Sequence, residues 1–183
     1  MANVIEEQVL MTPHVIPFRL INGVGRRDRI EVFKKWRGLG FQFHSVVKHG
    51  SVWLPNDLQH GQGCQFMLGC LIQPHVQIGE NVLINTGAQV DHDCVIGDHV
   101  HVAPGAILCG SVRVDAGAMI GAGAVVLPGI HVGPGVVVPA GMVVREQGAW
   151  LSGKEATSTR VESDREGSAH TDVPTASRAE QEA

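Results

Sequence analysis

Residues 72–107 read, in groups of six, IQPHVQ IGENVL INTGAQ VDHDCV IGDHVH VAPGAI. Every group opens on Ile or Val and carries Val, Ala or Cys in fifth place. The fourth place holds a turn former, Asn81, Gly87, Asp93 or Gly105, with His75 and His99 as exceptions. Working outward, the register never slips: Phe66 precedes Ile72, and Leu108, Val114, Ile120, Val126, Val132, Val138 and Val144 follow. Backward extension reaches Leu54 and Leu58 less cleanly, because His60 then takes an interior slot.

A helix needs a period near 3.6 and a half-buried strand a period of two, so neither accounts for a turn in every sixth place. Short parallel strands joined by tight corners account for both features. Three groups make one triangular coil of about eighteen residues, and successive coils stack about 4.8 Å apart. The register from Leu54 to Val144 therefore predicts an all-β parallel β-helix of about five coils over residues 51–146. Like residues stack on like, which removes the need for large aromatics. The chain has 5 Phe, 3 Trp and no Tyr against 23 Gly, and only Phe66 falls between Leu54 and Val144.

Residues 1–50 break the period. Val15 to Ile21 reads as a strand, followed by the turn Asn22-Gly23-Val24-Gly25. Asp28 can cap a helix with Ile30, Phe33 and Trp36 on one face, stopped around Gly38 and Gly40. Phe41 to Val47 reads as a second strand, giving a partial α/β fragment of β-α-β type. Gly23-Val24-Gly25 reads as a plain strand-to-helix turn in preference to a phosphate loop, since a lone Gly-x-Gly is a weak signal. Residues 147–183 are polar and poor in apolar groups, so a disordered tail is expected, with Trp150 and Leu151 packing back onto the last coil.

Net charge is −4, and no basic run suits nucleic acid or a membrane surface. No segment resembles a signal peptide or a membrane span, and the four cysteines show no metal spacing. A cytoplasmic protein is the expectation.

Charge on the repeats is sparse. From Phe66 to Val144 the acids are Glu80, Asp91, Asp93, Asp98 and Asp115, and three of these five lie between Asp91 and His101. A solenoid corner has no structural need for Asp91-His92-Asp93. A histidine flanked by carboxylates is fixed in one tautomer and made more basic, which suits a general base. The plain alternative is a solvated corner whose Asp only forms the turn. His99 and His131 read as outward turn and edge positions, and Cys94, in an interior slot, reads as packing in preference to a nucleophile.

The stretch from Asn85 to Asp98, continued through His101 to Ala106, resembles the central motif of one branch of the hexapeptide-repeat acyltransferases. That branch holds the sialic acid O-acetyltransferases and the N-acetyltransferases of nucleotide-linked amino sugars such as bacillosamine and perosamine. With the fragment from Ile21 to Phe43 included, the resemblance covers residues 15 to 144. It implies a left-handed coil, a homotrimer, acetyl-CoA as co-substrate and a sugar, commonly nucleotide-linked, as acceptor. It further implies His92 as catalytic base supported by Asp93, His101, Ala122 and Ala140 as acetyl-CoA contacts, and Asn85 near the acceptor.

Spacing agrees in two respects. Ala122 and Ala140 share a column one coil apart, and His92 and His101 fall half a coil apart, on opposite sides of one prism. The two histidines can then share a site only between chains. The resemblance departs at the start, where the family's Gly-rich nucleotide-binding half has no counterpart ahead of Ile21. It departs also after the last coil, where Trp150-Leu151-Ser152-Gly153 replaces Gly-x-Pro-Ala. Two other readings stand beside it. One is a non-catalytic structural trimer. The other is a zinc carbonic anhydrase built from three histidines, for which His44 and His49 have no partner two coils away; no metal is expected.

Overall fold

The computed structural model describes residues 19–24, 28–47, 55 and 58–146. The expectations for residues 15–18, Gly25, Leu54 and the tail 147–183 lie outside these.

Among the described residues, sixteen two-residue strands form three parallel sheets, the faces of a triangular prism. Face one stacks β1 (Val46–Val47), β3 (Gln65–Phe66), β6 (Leu83–Ile84), β9 (His101–Val102), β12 (Met119–Ile120) and β15 (Val137–Val138). Face two stacks β4 (Leu71–Ile72), β7 (Gln89–Val90), β10 (Ile107–Leu108), β13 (Val125–Val126) and β16 (Val143–Val144). Face three stacks β2 (Gln59–His60), β5 (Gln77–Ile78), β8 (Val95–Ile96), β11 (Arg113–Val114) and β14 (His131–Val132). The register pairs Ile84 with Val102 and Ile120 with Val138, so like stacks on like as the period required. All these interior side chains are buried and form one continuous core. The result is a parallel β-solenoid of about five turns, and the six-residue period is what builds it.

The corners need a left-handed backbone conformation. Glycine supplies it at most of them, but His75, Asn81, Asp93, His99 and Ser111 adopt φ between 54° and 64°. For a residue with a Cβ that conformation costs roughly 1–2 kcal/mol. These five corners therefore carry strain that glycine would have avoided, and at Asn81, Asp93 and His99 the side chain that causes it takes part in a hydrogen bond.

Ahead of the coils lies helix α1 (Asp28–Gly38). Asp28 and Glu31 occupy its first turn, Lys35 and Arg37 its last, each on the side the helix dipole favours. It stops at Gly40, whose φ is +89°. Among the described residues, the flanking segments form a parallel bridge between Leu20 and Phe43 and the short strand β1. β1 pairs with β3, so the end of the fragment extends face one of the solenoid.

α1 covers the corner between faces three and one. Phe33 is buried against Phe43, with ring centroids 4.5 Å apart, and meets the edge of His99 at 5.6 Å. A side chain at Gly63 would lie 2.8 Å from the Phe33 ring, so this glycine admits the helix. Arg37 pairs with Glu80 at 3.1 Å. Asn22 donates to Asn81 at 3.1 Å, and Asn81 donates to His99 Nδ1 at 3.1 Å. His99 is thus half-buried under the helix, where the sequence had suggested an outward corner. His131 is half-buried too, donating through Nε2 to Asp115 at 2.7 Å beside Arg113.

Candidate active site

The corner between faces two and three carries Asp91-His92-Asp93. His92 Nδ1 donates to Asp93 Oδ2 at 2.7 Å, and the His92 backbone N–H donates to Asp91 Oδ1 at 2.8 Å. Nε2 forms no hydrogen bond to a described residue, and Asp91 Oδ1 lies 4.0 Å from it. The left-handed backbone of Asp93 brings its carboxylate back onto the ring that precedes it. That hydrogen bond, then the charge of Asp91, raises His92 above the ordinary histidine pKa. His92 opens onto a groove of about 530 Å³ lined also by Cys109, Gly110, Ser111 and Pro128. One nitrogen is fixed by a carboxylate and the other is free toward open space: the arrangement of a general base.

Asn85 and His101 lie elsewhere. Asn85 stands at the corner between faces one and two, and His101 on β9 of face one, one coil on. Asn85 Nδ2 donates to His101 Nε2 at 3.2 Å, and Asn85 Oδ1 accepts from the Thr86 N–H at 2.8 Å. Because Nε2 accepts, the proton of neutral His101 sits on Nδ1. Burial, and then the charge of Arg29, hold His101 below the ordinary pKa, opposite to His92.

Ala122 and Ala140 stack at the corner that also holds Asn85, joined by the Gly141 N–H donating to the Ala122 carbonyl at 2.8 Å. Both are exposed, and their own N–H groups donate to no described residue. Gly121 lets the coils close there, since a Cβ on it would lie 2.5 Å from the Ala140 nitrogen.

The structure thus brings Asn85, His101, Ala122 and Ala140 to one edge of the prism and Asp91, His92 and Asp93 to another. In a three-sided coil, the corner between faces two and three lies opposite face one. His92 and His101 therefore face away from each other within one chain, as their half-coil spacing implied.

Arg29 was not singled out in the sequence. It is 5% exposed, donates to the Gly63 and Val82 carbonyls at 3.3 and 3.4 Å, and has its pKa pushed down to about 10 by burial. Its Nη1 has no partner among the described residues. The only signal available was its place four residues before Phe33, on the same helix face. All four cysteines are free, and Cys94 is fully buried, where burial pushes its thiol up to about 11. A thiol held protonated and enclosed is packing. No described helix is long and apolar enough to cross a membrane.

Comparison with known proteins gives the fold a family. The family described as bacterial transferase hexapeptide (six repeats) matches residues 75–110. The acetyltransferase domain of PglB from Neisseria gonorrhoeae FA1090 is 30% identical, with a TM-score of 0.68, over 76% of this chain and 69% of that one. The same domain in complex with acetyl coenzyme A matches at 29% identity and a TM-score of 0.64, over 71% and 66%. PerB from Caulobacter crescentus, in complex with CoA and GDP-perosamine, is 37% identical with a TM-score of 0.67, over 70% of this chain and 62% of that one. The chain thus spans about two thirds of the length of these relatives. The search of curated proteins returned no match. Identity at this level over more than two thirds of both chains, with a repeat that matches the bacterial transferase hexapeptide family, places the chain in the hexapeptide-repeat acetyltransferase family.

Proposed function

We propose that this protein transfers an acetyl group from acetyl-CoA to an amino group of a nucleotide-linked sugar, with His92 as general base, at a site shared between neighbouring protomers of a homotrimer. The observation that carries this reading is the His92 imidazole, anchored through Nδ1 to Asp93 and open at Nε2. Relatives solved with acetyl coenzyme A, and with CoA and GDP-perosamine, support the choice of donor and acceptor.

The acceptor nitrogen attacks the thioester carbonyl while Nε2 takes its proton. The tetrahedral oxyanion is held by backbone N–H groups of the coil. Its collapse breaks the C–S bond, and the proton on His92 passes to the departing CoA thiolate. The amide product and free CoA leave His92 neutral again. Asp93 supports the imidazolium formed in the middle of this sequence. Where His92 works on one protomer, the neighbour supplies His101 and the unpaired N–H groups of Ala122 and Ala140 to the cofactor, with Asn85 near the acceptor. A single prism holds these two sets apart, which is the ground for the trimer.

Acetyl-CoA with GDP-perosamine and with other nucleotide-linked amino sugars tests the reading, by thiol release and product mass. The expected result is CoA release that depends on an amino-sugar nucleotide, with a product heavier by one acetyl group. Release no faster than acetyl-CoA hydrolysis with every such acceptor would overturn it.

A further inference from the structure

Gly110 stands one coil above His92, in the same column, and the Ser111 N–H donates to the His92 carbonyl at 2.9 Å to join the two corners. A Cβ built on Gly110 would lie 2.8 Å from both Cε1 and Nε2 of His92 and 3.4 Å from Nδ1, and these are the three atoms nearest to it. Its backbone is not in the left-handed region, so conformation does not demand a glycine. Other close-packed glycines differ. Gly97 and Gly121 would drive a side chain into the backbone of the next coil, so there glycine serves coil spacing. At Gly110 the three nearest atoms all belong to the imidazole of His92.

We infer that Gly110 is a positioning residue for the general base: the missing side chain is the seat in which the His92 ring lies, with Nε2 over the groove and Nδ1 on Asp93. This rests on the reading of His92 as general base. A methyl group at position 110 meets the far end of a side chain that is free to swing, so the coil can keep its fold while the ring is displaced. The ring then leaves both the acceptor and the Asp93 carboxylate. Asp91, Cys109 and Ser111 are the other polar groups lining that groove.

Gly110→Ala tests this beside His92→Ala and the double variant, in the full-length protein, by thermal melting and by steady-state kinetics across pH. Gly110→Ala should melt near the parent and keep its Michaelis constant for acetyl-CoA. Its turnover should fall by about 10²-fold, the scale on which a 1 Å misplacement acts. The acid limb of its pH profile should move toward the ordinary histidine value, because the bond to Asp93 is lost. Should Gly110→Ala fail to fold, adding His92→Ala should restore the melt, since the obstructing ring is gone. Parent-like turnover and pH profile in Gly110→Ala, or a double variant that stays unfolded, would overturn the inference. An active His92→Ala would instead sink the general-base reading itself.

Discussion

His92 Nδ1 lies 2.7 Å from Oδ2 of Asp93, its neighbour in the chain, and Asp93 has φ +60°. Adjacent side chains on an extended backbone point to opposite faces. The left-handed corner turns the Asp93 carboxylate back onto the His92 ring, so the residue that forms the turn also makes the hydrogen bond to the imidazole. His92→Ala should lower turnover by about 10²–10⁴-fold, the usual range for a general base, with the Michaelis constant for acetyl-CoA unchanged. Asp93→Asn should lower it less. Steady-state kinetics with varied acetyl-CoA check both, and full turnover in a folded His92→Ala would refute the mechanism.

With His92 as the proposed base, Asp93 also sets where activity should appear on the pH scale. On the proposed mechanism activity needs neutral His92, whose pKa is raised first by the Asp93 hydrogen bond and then by Asp91. The acid limb of kcat/KM should therefore lie above the ordinary histidine value of about 6.5. Asp93→Asn should move it to lower pH. A limb that stays in place on this substitution would show that another group titrates.

The fourth slot of each repeat shows how far the sequence could be read. Its period laid out all three faces, because apolar burial on a coil is local and repeats every six residues. The same rule made Asp91-His92-Asp93 conspicuous, since charges at a solenoid corner have no packing role. Three features stayed hidden for a common reason. His99 read as an outward corner until α1 covered it, and Arg29 drew no attention, because its burial exists only once that helix docks. Gly110 drew no attention either, because only the closed coil sets it against a ring eighteen residues away. Each depends on which surfaces meet in three dimensions, which no periodicity within a single strand records.

The covering of His99 has consequences for stability. His99→Ala would strand the buried Asn81 amide, at a cost of about 1–3 kcal/mol, and leave turnover unchanged. Burial holds the folded pKa of both His99 and His101 below the ordinary value. As pH falls through about 6.5 the unfolded chain therefore takes up protons first, and stability declines. His92 has the opposite sign: its contribution is complete below the unfolded value and is lost as pH rises through the raised folded one. Its side chain is 57% exposed, so water screens it and the half-buried pair dominates. The melting temperature should fall between pH 7 and pH 5, and His99→Asn, which tolerates the same backbone, should flatten that slope. An unchanged slope would mean that the burial of His99 does not govern it.

His101 and His92 provide the test of the shared site. His101→Ala should chiefly raise the Michaelis constant for acetyl-CoA, while His92→Ala should lower turnover by about 10²–10⁴-fold at any concentration. In a cyclic trimer each site takes His92 from one protomer and His101 from the next. A mixed trimer of the two variants then always contains one interface with both histidines intact and one with both missing. Random assembly makes about three quarters of trimers mixed, each with a third of its sites, so co-expression should restore about a quarter of parental activity at low acetyl-CoA. Sites contained within single protomers would give no such rescue, since every chain lacks one of the two histidines. Co-expressed variants assayed with acetyl-CoA near the parental Michaelis constant distinguish the cases. Activity no higher than the mean of the separate variants, from a mixture shown to contain mixed oligomers, would place the whole site in one chain and remove the argument for a trimer.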